Sequence, residues 1–166
     1  MAVHAAGQDF EEFVVLRSQS LLRTAYLLCG GDRGAAEDLL QDVLEKMFVR
    51  WRRIKGPAEP YARAALANAS ANRWRRRSRK PEADWEQAGT PSVGGHEDAV
   101  VAQDAVLRAL AELPPKMRAV LVLRFFDDQT EAQTAAALGC GTGTVKSQTS
   151  RGLARMRELL QVEVAR

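Results

Sequence analysis

Three observations predict an all-α fold of two small helical domains, joined by a flexible acidic linker, with a helix-turn-helix in the second. Apolar residues recur at the helical period on both sides of the middle of the chain. No alternating run bounded by hairpin turns occurs anywhere, so strands are not required. Between the two periodic halves lies a stretch rich in acid, Gly and Pro. It contains Pro81, Gly89, Pro91, Gly94 and Gly95, and Gly frees the backbone while Pro fixes it. The expected boundaries are a first domain over 1–80, a linker over 81–98 and a second domain over 99–166.

The first element is an apolar helix from Phe10 to Leu28, closed by Gly30-Gly31. The second is the clearest. Ala36, Leu39, Leu40, Val43, Leu44, Met47 and Phe48 form one stripe of an amphipathic helix. Asp32 stands at its N-cap, and Glu37 and Asp38 are expected in its first turns, where the helix dipole favours negative charge. Gly56 and Pro57 break the chain within Ile54–Glu59, and a third helix runs from about Pro60 towards Arg77, opened by a proline that suits a first turn.

The second half uses shorter units. Val100 to Leu113 is one helix, stopped by Pro114-Pro115, and Met117 to Phe126 is the next. Thr130 to Leu138 follows, with Thr130 as N-cap and Gly139 as its end, and a last helix runs from about Gly143 to Val162.

Composition narrows the function classes. The chain has 166 residues, 46% of them hydrophobic, so wholesale disorder is not expected. No run of about 18 apolar residues exists to span a membrane, and Met1 to Asp9 lacks the charged and apolar regions of a signal peptide. Cys29 and Cys140 stand alone, far from His4 and His96, so no metal-ligand cluster is expected; reduced thiols in a cytoplasm are. The net charge of +3 is unevenly spread, with both domains basic and all five charges of 81–98 acidic. Two basic blocks around an acidic tether suit two units that face nucleic acid.

Three segments carry candidate binding chemistry. Within 130–157, a short helix, a Gly-containing turn and a second helix make a helix-turn-helix. Ala135, four residues before Gly139, permits close helix approach, and Val145 is expected to plug the core. Lys146, Ser147, Ser150 and Arg151 then point outward from a helix whose diameter fits the DNA major groove. Arginine can grip guanine with two hydrogen bonds, while Lys and Ser suit phosphates or single base contacts. A plain helical hairpin with a solvated polar face is the alternative.

The third helix mixes Tyr61, Asn68, Asn72 and Trp74 with Arg73, Arg75, Arg76, Arg77, Arg79 and Lys80. Aromatics stack on unpaired bases, amides read base edges and arginines follow the backbone, which suits strand-separated DNA better than an intact duplex. A solvated basic face with Trp74 half buried is the alternative. Finally, Glu37, Asp38, Gln41, Asp42 and Glu45 cluster opposite the apolar stripe of the second helix, where a solvated face is the plainer reading.

In order and spacing these segments resemble the extracytoplasmic-function (ECF) sigma factors of the sigma-70 family, closest to the SigE-like actinobacterial group. Ala36-Glu37-Asp38-Leu39-Leu40-Gln41-Asp42 looks like their polymerase-binding helix. Trp51 and the Tyr61 to Arg79 helix resemble the part that opens and reads the −10 promoter element. Leu113-Pro114-Pro115 to Leu123-Arg124, with Gly139-Cys140-Gly141-Thr142-Gly143-Thr144-Val145-Lys146-Ser147, resembles the −35 reading domain. The likeness covers about residues 10–160.

The resemblance implies a factor that binds core RNA polymerase and directs promoter recognition, melting and initiation, without catalysis or cofactor of its own. Asp38, Gln41 and Asp42 would hold the clamp coiled coil, and the second domain would meet the flap. The Ile54–Glu59 loop, with Tyr61, Asn68, Asn72, Arg73 and Arg76, would serve the −10 element. Lys146, Ser147, Ser150 and Arg151 would read the −35 groove, with Arg124 on phosphate. The linker would thread the RNA exit region. Family members are commonly held inactive by an anti-sigma factor, so such a partner is an expectation here, and no direct membrane contact is. With Arg166 soon after the second domain, no further C-terminal regulatory domain is expected.

Three positions depart from the family pattern. Gly141 stands where a capping Ser is usual, leaving Thr142 or the Gly backbone to serve. Gln129 replaces an apolar residue, and Asn72 stands where Asp is common. A helix-turn-helix regulator that never meets polymerase would explain residues 100–160 but leaves the acidic and Asn/Arg helices without a job. A nuclease would need convergent carboxylates or a His cluster for metal, and the acids here are spread along solvent faces.

Overall fold

The computed structural model of the chain describes residues 2–78 and 97–165, and the side chains of 7, 9–73, 102–162 and 165 among them. The expected linker lies outside these residues except for Glu97 and Asp98, and Trp85 is outside with it. Among the described residues there is no strand. The helices are α1 (Ala2–Leu28), α2 (Arg33–Arg50), α3 (Ala58–Ser78), α4 (Glu97–Glu112), α5 (Pro115–Leu121), α6 (Glu131–Leu138) and α7 (Thr142–Val164). A short 3-10 turn, Trp51–Arg53, follows α2, and a π-helical segment, Val122–Phe126, follows α5.

Several expected boundaries shift for identifiable reasons. Helix α1 begins at Ala2 rather than Phe10, because Ala2, Ala5 and Ala6 favour helix without supplying an apolar stripe. Its end is a Schellman closure. Gly31 N–H reaches Tyr26 O at 2.9 Å, Gly30 N–H reaches Leu27 O at 3.1 Å, and Gly30 has φ +64°. Asp32 caps α2 by accepting from Ala35 N–H at 3.0 Å. That start at Arg33 puts Glu37 and Asp38 in the second turn, so the first turn holds no acid. Helix α3 starts at Ala58, with Pro60 still in the first turn, where a missing N–H costs no helix bond.

The expected Met117–Phe126 helix is instead α5 followed by the π segment. There the Asp127 N–H reaches back five residues to Val122 O (3.1 Å), and Gln129 N–H reaches Leu123 O (2.9 Å). Asp128 takes φ +52°, a left-handed conformation rare outside glycine. The widened turn aims Asp127 at the first domain.

In the first domain Leu21, Ala25 and Leu28 of α1 meet Ala36, Leu39, Val43 and Met47 of α2, and Ala62, Leu66 and Ala67 of α3. Phe48, the last residue of the expected stripe, is 59% exposed and packs only edge-on against Phe10. The same apolar cluster continues through Leu107, Leu110 and Leu113 of α4 into Ala119 and Leu121–Leu123. The two halves therefore share one core, with α3 against both α5 and α6.

A close approach joins the turn after α1 to α4. A Cβ built on Gly30 would stand 2.7 Å from Ala111 Cβ. Gly30→Ala is expected to cost about 2–3 kcal/mol, combining left-handed strain with this collision. Urea unfolding of the full chain checks it, and a cost of only about 1 kcal/mol, the left-handed strain by itself, would mean that the two helices separate freely in solution.

Candidate nucleic-acid and polymerase interface

The helix-turn-helix is built by local chemistry. Thr130 accepts from Gln133 N–H at 3.1 Å, and Gln133 Oε1 accepts from Thr130 N–H at 2.9 Å, a reciprocal capping box that starts α6. Gly139 ends it in the left-handed conformation, φ +64°, and Cys140 N–H returns to Ala135 O at 3.0 Å. Ala135 and Val145 are both buried and pack with Val120 as the expected small core of the motif. Gly152 is buried too, and a Cβ there would lie 3.0 Å from Leu121 Cδ1 and Met117 Cγ, so its bareness lets α7 close onto α5.

These inward positions fix the outward ones. Lys146, Ser147, Ser150 and Arg151 are all exposed on one face of α7. The polar atoms of Lys146, Ser147 and Arg151 rest on the helix itself or its neighbour. Ser147 Oγ donates to Thr144 O at 3.1 Å, Arg151 Nε donates to Ser147 O at 3.4 Å, and Lys146 Nζ lies 3.8 Å from Glu131. Such exposed contacts are weak, so an incoming phosphate or base edge displaces them readily.

Arg124 sits differently. Its Nη1 donates to Gln129 O at 2.7 Å, its Nη2 lies 4.0 Å from Glu131, and its Nε is buried without a hydrogen-bond partner. In this state it braces the turn before α6. Gln129, the expected misfit, does leave its side-chain Oε1 buried and unpaired. At Gly141 the carbonyl accepts from Val145 N–H at 3.2 Å, and Thr142 is already helical. The backbone of Gly141 alone therefore holds the cap position. Gly141→Ser is expected to stabilise by a few tenths of a kcal/mol, a rise in Tm of about 1 °C in a thermal melt.

In the first domain, Tyr61, Asn68 and Asn72 lie along one face of α3 at helical spacing, and all three are exposed. Asn68 Nδ2 donates to Ala64 O at 2.9 Å and to Ala137 O of α6 at 2.8 Å. Arg73 is half buried and paired with Asp42 of α2. The side chains of Trp74, Arg75, Arg76 and Arg77 lie outside the described residues, as do Arg79 and Lys80 altogether.

On α2, Glu37, Asp38, Gln41, Asp42 and Glu45 share an exposed face, with Gln41 Nε2 donating to Glu45 at 3.4 Å and Arg33 donating to Glu37 at 3.0 Å. The Asp42–Arg73 pair ties this acidic face to the Asn/Arg helix across 31 positions of sequence. Trp51 packs between Phe10 and Phe13, ring centroids 5.1 and 5.3 Å away, and so anchors the end of α2.

Two arginines not anticipated from the sequence join the halves. Arg118 donates to Leu110, Ala111 and Leu113 carbonyls at the end of α4 and to Leu28 O at the end of α1, at 2.7–3.0 Å. Arg63 of α3 lies 2.5 Å from Asp127, which also accepts from Thr24 at 2.9 Å. Burial pushes the Asp127 carboxyl up, against the pull of Arg63 and Thr24. Neither arginine sits in a run or a periodic stripe, so local pattern held no signal for them.

Among the described residues no three His, Cys, Asp or Glu side chains converge to hold a metal, and no helix is long and apolar enough to cross a membrane.

Family comparisons agree with this layout. Residues 14–80 match sigma-70 region 2 and residues 103–156 match sigma-70 region 4. The RNA polymerase sigma-E factor of Streptomyces avermitilis is 38% identical over 160 residues, covering 95% of this chain and 88% of the relative. The sigma-E factor of Streptomyces coelicolor is 39% identical over 92% of this chain and 86% of its own length. Among solved structures, the sigma factor RpoE of Bartonella quintana, in complex with the anti-sigma factor NepR, superposes with a TM-score of 0.75 at 26% identity. The superposition covers 93% of this chain and 98% of that one. With both regions present in order, and with such relatives along nearly its whole length, this chain belongs to the ECF sigma factors of the sigma-70 family.

Proposed function

We propose that this protein binds core RNA polymerase and directs it to promoters, melts the −10 region and starts transcription, with no catalytic group of its own. The carrying observation is the division of labour on its surface. An exposed Lys/Ser/Arg face stands on the second helix of a helix-turn-helix, while an acidic helix and an Asn/Arg helix are tied together in the other half.

In this reading 1–80 serves polymerase and the −10 element, 99–166 serves the −35 element, and 81–98 spans the gap between them. Asp38, Gln41 and Asp42 grip the clamp coiled coil. Tyr61, Asn68, Asn72, Arg73 and Arg76 handle the opened −10 strand by stacking, amide contacts and charge. Lys146, Ser147, Ser150 and Arg151 read the −35 major groove. Arg124 would exchange its bond to Gln129 O for phosphate, and without DNA it positions the turn. Region 4 would meet the polymerase flap, an anti-sigma factor is the expected restraint, and the cytoplasm is the expected place of action. The solved complex of a similar sigma factor with its anti-sigma partner supports that last partner class.

The test is run-off transcription with sigma-free actinobacterial core polymerase, on a family-type promoter and on mixed genomic template. Discrete transcripts that depend on this protein, and that disappear with Asp38→Ala or Gln41→Ala, are expected. Duplex binding without any complex with core would sink the reading and leave a polymerase-independent regulator.

A further inference from the structure

We infer that Glu131 is an electrostatic brake on the −35 face: its carboxylate stands between Arg124 and Lys146 and cancels part of their attraction for DNA phosphates. Glu131 is the first residue of α6, directly after the N-cap Thr130. One of its carboxylate oxygens lies 4.0 Å from Arg124 Nη2, and the other lies 3.8 Å from Lys146 Nζ of α7. Those separations exceed a normal hydrogen bond, so neither cation is locked in place. At such range charge still offsets charge, and one anion between two cations halves the local positive charge.

The placement is suited to act on DNA. Arg124 Nη1 is already committed to Gln129 O at 2.7 Å, so Nη2 is the end that faces Glu131. The Lys146 side chain is 67% exposed and that of Glu131 37%, so both meet an incoming duplex. When a duplex arrives the pairs break easily, because exposed pairs are weak. The carboxylate stays, fixed by its place on the first turn of α6, within a Debye length of any phosphate that either cation takes up. Exchanging a carboxylate for a phosphate returns little, and repulsion between Glu131 and that phosphate opposes the exchange. Since every duplex carries the same phosphates, this opposition does not depend on base sequence.

The consequence is a factor that bulk DNA holds poorly. Phosphate attraction supplies nearly all non-specific binding, and a genome offers on the order of a million competing sites or more. A weaker attraction leaves the free chain available for polymerase. Base contacts from Ser147, Ser150 and Arg151 then carry a larger share of duplex binding. A role in complementing the positive end of the α6 dipole would act on stability alone, and a binding measurement tells the two apart.

This inference rests on the reading of Lys146, Arg151 and Arg124 as −35 contacts, and the experiment separates the two. The full chain, Glu131→Gln, Glu158→Gln and Arg151→Ala are compared by fluorescence anisotropy on a family-type −35 duplex and on a scrambled duplex. Glu131→Gln is expected to bind both duplexes about tenfold more tightly at about 50 mM salt and about threefold at about 200 mM. The difference arises because one extra effective cation adds about 0.9 to the salt slope. Glu158→Gln makes the same change in net charge beside Arg155, about three turns further along α7, and should leave both affinities within about twofold. No gain at the lower salt, weaker binding of either duplex, a gain confined to the matched duplex, or an equal gain from Glu158→Gln overturns the brake. The −35 reading fails separately, if Arg151→Ala binds the matched duplex as the parent does.

Discussion

Arg118→Ala is expected to lose about 3–5 kcal/mol of stability, with a fall in Tm of about 10 °C. The guanidinium serves four carbonyls at helix ends, three where α4 stops before Pro114 and one where α1 stops before Gly30; Leu110 O among them also accepts from Leu113 N–H at 3.1 Å. Removing it leaves these acceptors to water at a seam where only part of the site is open, and unmet buried acceptors cost about 1–3 kcal/mol each. Arg118→Lys should recover less than half, because an ammonium cannot present the planar fork that spans two helix ends. Urea unfolding followed by circular dichroism measures both. A loss below about 1 kcal/mol would mean that water replaces the guanidinium without penalty, and that the two halves are joined by apolar contact alone.

The second large effect concerns the −35 face. Lys146→Ala together with Arg151→Ala should lower transcription from a −35-dependent promoter about 30-fold or more. The estimate takes about 1–3 kcal/mol for each lost contact at 1.4 kcal/mol per tenfold change. The fold should be unaffected, since both side chains are exposed and the packing of α7 is carried by Val145 and Gly152. The salt dependence of duplex binding should also flatten by about one unit for each phosphate contact removed. An equal loss on a template without a −35 element would move these residues out of sequence reading and into another step.

Much of this protein is written locally. Asp32, Thr130 with Gln133, Gly30 and Gly139 act on backbone within five residues, so the starts and stops they set are legible from a short window. The stripe of α2 and the plug at Val145 follow from helical period alone. The same rule identifies the outward face of α7, because burial of Val145 and Gly152 leaves Lys146, Ser147, Ser150 and Arg151 nowhere else to point. Where local reading failed, the signal was of another kind. The alanine-rich start of α1 shows in propensity and not in periodicity, and the π segment at Val122 depends on what Asp127 finds in the other domain.

By itself, then, the sequence determined an all-helical chain, its caps, its helix-turn-helix and the chemistry each exposed face offers, because those depend on neighbours within a turn or two. Only the tertiary structure decided that α6 lies on α3, that Arg63 and Thr24 receive Asp127, and that Arg118 closes two helices at once. These pairings join residues 64 to 103 positions apart for the Asp127 slot and 90 for Arg118 and Leu28. Such contacts are selected by complementary shape and by unmet donors and acceptors on already folded surfaces, and neither leaves a period along the chain.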